Sequence, residues 1–230
     1  MKKTFTLLMA VIMFYMLAPC AFGNGTSPQS QSNLETGSSH NNDSTEFPAS
    51  TEEDERDAES TEYAVEKLNG SIRVPNGYYV FGEDIEFTEQ MCEDIGTSIE
   101  NVRKAIPLLQ GQTLIVPSDE AFAESVHFYL KVKEKKYDDI TLSELPMSDY
   151  RTVASTIVSS FGVRDYETVE GNGLRFFVFT ADQGLGAVLR YATILNGHMI
   201  YVYANNGNNT FTEQQKSDLE YIALSIRHSL

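Results

Sequence analysis

Four histidines, two cysteines and a crowded run of carboxylates are the residues here whose types suit acid–base, nucleophilic or metal chemistry. The histidines are His40, His127, His198 and His228, and none has another at i+2, i+3 or i+4, so no zinc-type pair is present. His127 and His198 meet only if the fold brings them together; ordinary strand positions are the expectation. Cys92 sits near Met91 and Ile95 and shares a helical face with Ile85, the surroundings of a partly buried, inert thiol. Ser98 follows Gly96 and Thr97 without the second glycine of a nucleophile elbow, and it suits a helix cap instead. The pairs Gly171/Gly173 and Gly184/Gly186 are too short for a phosphate-binding fingerprint.

The carboxylates Glu83, Asp84, Glu86, Glu89, Glu93 and Asp94 lack the alternating acidic loop of a calcium site. They read as a solvated face, of which Glu83, Asp84 and Glu86 are a candidate surface for a cation or a basic partner. Tyr129, Tyr191, Tyr201 and Tyr203 lie in extended runs, where their amphipathic rings either pack beneath helices or meet a ligand. No catalytic, cofactor-binding or metal-ligating residue is assigned, and no cofactor is expected.

What positions these residues begins with export. Lys2 and Lys3 precede an uncharged apolar stretch from Leu7 to Ala18, the pattern of a secretory signal. A dozen residues make a helix of roughly 18 Å, short of the ~30 Å hydrocarbon core. Pro19 ends it, and Ala21 and Gly23 are small enough for a peptidase, which predicts a leader over residues 1–23. Cys20 offers the rival outcome. Leu17-Ala18-Pro19-Cys20 resembles a lipobox, with Pro19 where a small residue normally stands, so lipidation at Cys20 remains open beside cleavage after Gly23, as does an uncleaved anchor. Each places the protein outside the cytoplasm, either secreted or held at the membrane through the N-terminus.

Residues 24–66 hold eleven carboxylates against one arginine and very few large apolar groups, which predicts a disordered acidic linker. Residues 67–230 carry 22 acids against 14 lysines and arginines, so this expected single domain has a net charge of −8. Such a balance argues against nucleic acid, whose phosphates need a basic surface. The basic cluster Lys131, Lys133, Lys135 and Lys136 is interleaved with Glu134, Asp138 and Asp139 and reads as a solvated strand end. With Cys20 removed or lipidated, Cys92 has no intramolecular partner, so stability must come from a hydrophobic core.

Periodicity outlines that core. Strands are expected at Ser71–Val74 and Tyr78–Phe81 around a Pro75-Asn76-Gly77 turn, followed by a helix near Thr88 to Asp94 and a second that Ser98 caps and that stops before Pro107. Two further strands are predicted at Thr113–Val116 and Ser125–Lys133. In the second, Val126, Phe128, Leu130 and Val132 face one way and His127, Tyr129 and Lys131 the less covered way. Ser148 is expected to cap a helix ending at Phe161-Gly162. Asn172-Gly173 and Asn196-Gly197 mark hairpins, and Thr212 with Gln215 opens a final helix with Leu219, Ile222, Ala223, Ile226 and Leu230 on its buried face. Antiparallel runs with inserted helices and no βαβ alternation predict an α+β fold, a mainly antiparallel sheet with helices on its faces.

The stretch from Ser71 to Tyr78, the hairpin ending Tyr191-Ala192-Thr193-Ile194-Leu195-Asn196-Gly197, and the terminal Ser225-Ile226-Arg227 resemble the PsbP-like superfamily. The resemblance covers nearly all of residues 70–230 and rests on element order and short degenerate patterns. It implies an accessory or interaction module among bacterial exported proteins and lipoproteins, and it transfers no functional residue. Two functions follow as expectations. One is a non-catalytic module acting on an unknown protein or small ligand at the cell envelope. The alternative is a hydrolase whose site is assembled only in the fold, drawing on Asp, Glu and His127.

Overall fold

A computed structural model of the chain describes residues 59–163, 165–182, 186–207 and 210–228. The leader over 1–23, Cys20 and most of the linker lie outside these residues. No helix among the described residues is long and apolar enough to cross a membrane.

The fold is α+β and its sheets are antiparallel. A three-stranded sheet has the order β1-β2-β10, from β1 (Ser60–Val65), β2 (Gly70–Pro75) and β10 (Arg227–His228). A seven-stranded sheet runs β3-β4-β5-β9-β8-β7-β6. Its strands are β3 (Tyr78–Phe81), β4 (Thr113–Pro117), β5 (Phe128–Lys135), β6 (Glu167–Gly171), β7 (Leu174–Asp182), β8 (Ala187–Leu195) and β9 (His198–Asn206). Among the described residues four α-helices accompany them: α1 (Glu89–Asp94), α2 (Ile99–Ala105), α3 (Met147–Phe161) and α4 (Glu213–Leu224).

Local chemistry explains most of the element ends. Thr88, Ser98 and Thr212 each accept a backbone N–H at the start of α1, α2 and α4, satisfying donors that have no partner in the first turn. The β8–β9 hairpin turns through Asn196 and Gly197 at φ 50° and 77°, the signs a two-residue type I′ turn demands. A Cβ at Gly197 would also lie 1.9 Å from the Tyr137 carbonyl oxygen, so a glycine is required there twice over. Asn172 and Gly173 repeat the turn between β6 and β7.

Side-chain alternation divides the large sheet into two faces. On one, Val80, Ile115, Phe128, Leu130, Phe176, Val202 and Ala204 pack with the small sheet's Ile72 and Val74 and with Leu219, Ile222 and Ala223 of α4. On the other, two separate clusters form. Phe81, Leu114, Val116 and Tyr129 pack with α1 and α2 through Cys92, Val102 and Ala105. Phe177, Phe179, Ala192 and Ile194 pack with α3 through Val153, Ala154 and Ile157.

Several expectations are corrected. The linker boundary moves, because β1 begins at Ser60 and pairs with β2 from Ser60↔Pro75 to Val65↔Gly70. Tyr63 and Val65 pack on the core while Thr61, Glu62 and Ala64 are exposed, an alternation that an average over the acidic stretch conceals. Ser148 is not a cap; Pro146 holds that position, its fixed φ suiting the entry to α3. The last helix stops at Leu224 and Ser225, and the chain turns into β10 against β2. Gly70 makes that pairing possible, since a Cβ there would lie 2.1 Å from the Arg227 carbonyl oxygen. Ile226 is fully buried as expected, while Leu230 lies outside the described residues. The face of β5 bearing Tyr129, expected to be the less fully covered one, is closed at Tyr129, where it packs with α1 and α2.

Candidate binding face

One strip of the large sheet departs from the apolar rule. Pairing aligns Leu114 of β4, Tyr129 of β5, Tyr203 of β9, Arg190 of β8 and Phe179 of β7 in a single row. All five point toward the helices on the split face. Tyr129 stacks on Tyr203 at 5.2 Å between centroids and 17° between planes. The Arg190 guanidinium lies 4.7 Å from the Tyr203 ring centroid and 4.6 Å from that of Phe161 at the end of α3. A planar cation between two ring faces gains electrostatic attraction and contact area together. The Tyr203 hydroxyl donates to Oε1 of Gln112, which precedes β4.

One step along the strands, Lys131 of β5 lies opposite Tyr201 of β9. The Lys133 ammonium stands 5.3 Å from the centroid of the same ring. Both lysines are half-buried. An ammonium beside an aromatic face gains from the ring's quadrupole while the half-buried stem covers apolar surface. The strip formed by β5 and β9 is therefore a polar, cationic seam between two apolar clusters.

This arrangement sorts the four candidate tyrosines. Tyr129, Tyr201 and Tyr203 share the split face, but Tyr191 points to the opposite one and packs beside Phe176 and Val202. Burial raises the pKa of its hydroxyl. Tyr129, Tyr191 and Tyr201 are 5–7% exposed and Tyr203 is half-buried, so they are packing residues and not an open surface of rings. Sequence reasoning missed Arg190 and Gln112. A signal for Arg190 existed, as it is a lone charge inside Val188-Leu189-Arg190-Tyr191-Ala192.

Glu83, Asp84 and Glu86 are exposed in the segment between β3 and α1. Glu83 and Asp84 line a cleft of about 30 Å³ together with Glu66, Lys67, Gly111 and Gln112. That is room for roughly two water molecules. No group of three or more metal-ligating side chains gathers among the described residues.

The remaining reactive groups are held apart. His127 is 4% exposed; its Nε2 lies 2.7 Å from the Phe122 carbonyl oxygen, and its ring packs on Phe122 at 4.0 Å. Burial drives its pKa down to about 4, so the imidazole is neutral near pH 7. His198 sits at the far end of the β5–β9 pair, with Nδ1 2.9 Å from the Lys133 carbonyl oxygen. The two imidazoles thus form no joint site. Cys92 is fully buried, and burial raises its pKa away from the thiolate range. Asp218 of α4 is buried and accepts from the Tyr78 hydroxyl at 2.7 Å and from Gln214 Nε2 at 2.8 Å. Burial and that carboxylate together raise the Tyr78 pKa. The bond ties β3 to α4.

No protein-family model matches this chain, and no curated protein matches it in sequence. Among solved structures it is similar in fold to cyanobacterial PsbP (CyanoP) from Synechocystis sp. PCC 6803 in solution. The identity is 12%, the match covers 81% of this chain and 98% of that one, and the TM-score is 0.39. A likeness of that degree carries no argument about activity or partners.

Proposed function

We propose that this protein is an exported, non-catalytic interaction or accessory module acting outside the cytoplasm. Residues 1–23 supply the leader, residues 24–59 the acidic spacer, and the sheets and helices that follow supply the binding body. In this reading it is a PsbP-like member of the exported bacterial class, either released by cleavage after Gly23 or tethered through a lipidated Cys20. Its partner is a protein or small ligand of the envelope and not nucleic acid.

One observation carries the reading. The groups best suited to acid–base or nucleophilic work, namely His127, His198, Cys92 and Asp218, occupy four separate places, each bonded or packed with its own neighbours. General acid–base and covalent catalysis need such groups within hydrogen-bond reach of one another and of a substrate. The polar side chains that meet the rings of β9, Lys133 at Tyr201 and Arg190 and Gln112 at Tyr203, suit recognition by charge and stacking.

Affinity capture from native envelopes with the full mature chain tests this. Retention of a defined partner in stoichiometric amount is expected. Turnover of a small-molecule substrate with no retained partner would overturn the proposal. Intact mass of the mature protein decides the N-terminus: a first residue of Asn24 means cleavage, and a lipid mass on Cys20 means a tether.

A further inference from the structure

We propose that Asn76 is a self-modification site, at which the Gly77 amide nitrogen attacks the Asn76 carboxamide and leaves aspartate or isoaspartate where β2 turns into β3. This stands apart from the binding-module reading and concerns the joint between the two sheets.

The chain holds six Asn-Gly dipeptides, of which Asn24-Gly25 lies outside the described residues. The other five begin at Asn69, Asn76, Asn172, Asn196 and Asn206. A glycine lets its own amide nitrogen approach the preceding side chain, because no Cβ blocks the way. Reaction needs a free amide nitrogen, a carboxamide whose NH2 end is not tied, and open space for a five-membered ring. Among the described residues Asn76-Gly77 combines all of these. Both residues are exposed, and no atom lies within 4 Å of where a Gly77 Cβ would stand. No acceptor among the described residues takes the Gly77 N–H, while the Gly77 carbonyl accepts from the backbone N–H and the hydroxyl of Ser118. The Thr61 hydroxyl donates to Asn76 Oδ1 at 3.4 Å, which draws charge from the carboxamide carbon and steadies its oxygen as an oxyanion forms.

The other four dipeptides each lack a part. Gly197 is buried and its N–H donates to the Ile140 carbonyl oxygen at 3.1 Å. Asn172 ties its Nδ2 to the Leu224 carbonyl oxygen at 2.7 Å. Asn206 is 7% exposed and ties its Nδ2 to the Thr210 carbonyl oxygen. Gly70 is hemmed in between β1 and β10, with the Arg227 carbonyl oxygen 2.1 Å from where a Cβ would stand.

The chemistry balances with water as the one co-reactant. The Gly77 nitrogen gives up its proton and bonds to Asn76 Cγ; the Cγ–Nδ2 bond breaks, and ammonia leaves with that proton. Water then opens the succinimide, giving aspartate if it cleaves the new Cγ–N bond and isoaspartate if it cleaves the original peptide bond. Either product adds a negative charge, and isoaspartate adds a methylene to the backbone path. The Asn76 N–H donates to the Glu59 carbonyl oxygen at 2.8 Å, beside the Ser60↔Pro75 pair, so the change falls where β1 joins the small sheet.

The test incubates the full mature chain in mildly alkaline buffer and maps its peptides by mass spectrometry. Each Asn-Gly site is followed for the gain of about 1 Da that exchange of NH2 for OH brings. Asn76 is expected to convert at least about tenfold faster than Asn172, Asn196 and Asn206, and the sites should converge in concentrated urea. Thr61→Val is expected to slow Asn76 severalfold and leave Asn172 unchanged. Conversion of Asn172 or Asn196 as fast as Asn76 in the folded chain overturns the inference. So does a lead for Asn76 that persists undiminished in urea, since local sequence and not the fold would then set the rate. If Thr61→Val fails to fold, the ranking of sites within the wild-type sample decides the matter by itself.

Discussion

The two faces of the seven-stranded sheet are built on the same alternation yet end differently. On the α4 face, Leu219, Ile222 and Ala223 join Ile226, the small sheet and six strands of the large one in one continuous apolar cluster. On the other face α1 and α2 hold one end and α3 the other, and their clusters are bridged through Tyr203. A continuous core admits polar atoms only where each finds a partner, as Asp218 and Thr193 do, whereas a divided one leaves a strip where amphipathic side chains fit. The difference concerns how charge is accommodated: the closed face is one apolar body, and the divided face holds Arg190 and Lys133 against the rings of β9 at the boundary between its clusters.

The comparison breaks most readily at Phe176, fully buried on the closed face. Phe176→Ala is expected to cost about 3–5 kcal/mol, the loss of transfer energy plus a cavity in a region with little room to relax. Urea unfolding measures it. A cost near 1 kcal/mol, comparable with a partly exposed residue, would mean that the closed face is not the main source of stability.

His127 provides the next test, from the covered end of the divided face. Its unfolded value is 6.5 and its folded value about 4, so the unfolded chain takes up a proton that the folded one refuses. Stability is therefore complete above about pH 6.5 and falls as pH drops toward 4, by about 3 kcal/mol in all. The lowered carboxyls of Asp94 and Asp139 also lose stability on acidification, but at pH values below the ordinary carboxylate range. The interval from 6.5 to about 4.5 thus reports mainly on His127. Chemical denaturation at several pH values should show the slope in the wild type and a flatter profile in His127→Gln. Equal slopes would place the imidazole in contact with water and open that end of the cluster.

Most strands and all four helices are legible in the sequence because their signals are local. Asn196-Gly197 dictates its own turn, and Thr212 with Gln215 caps α4 with the very bonds it promised. What the sequence does not show is long-range. β10 exists because Gly70, more than 150 positions earlier, leaves room for the Arg227 carbonyl, and β1 becomes a strand because β2 is there to pair with it. The strip was half visible: the alternation of His127, Tyr129 and Lys131 was plain, but only strand order sets Tyr201 opposite Lys131 and Arg190 opposite Tyr203. Equally, nothing local separates Tyr191 from the other tyrosines, because which side of β8 faces α4 is decided by the whole sheet.

The closed face also carries polar links, among them the Tyr78–Asp218 bond between β3 and α4. Tyr78→Phe removes the donor and leaves a buried carboxylate with its remaining bond from Gln214. The expected cost is about 1–2 kcal/mol, less than that of Phe176→Ala, since one partner survives and the ring stays in place against Phe128. Thermal melts of the two variants rank them directly, and the reverse order would make this polar link, not apolar contact, the tie between α4 and the sheet.

The smallest effect is the most discriminating. Replacing Lys133 with glutamine is expected to cost no more than about 0.5–1 kcal/mol, because a half-buried lysine over one ring contributes a modest cation–π attraction and stem contacts that glutamine partly keeps. The variant should melt within about a degree or two of the wild type in thermal denaturation. If the melting temperature falls sharply instead, the Lys133 stem is a structural cover for Tyr201, and the seam belongs to the core that flanks it on either side.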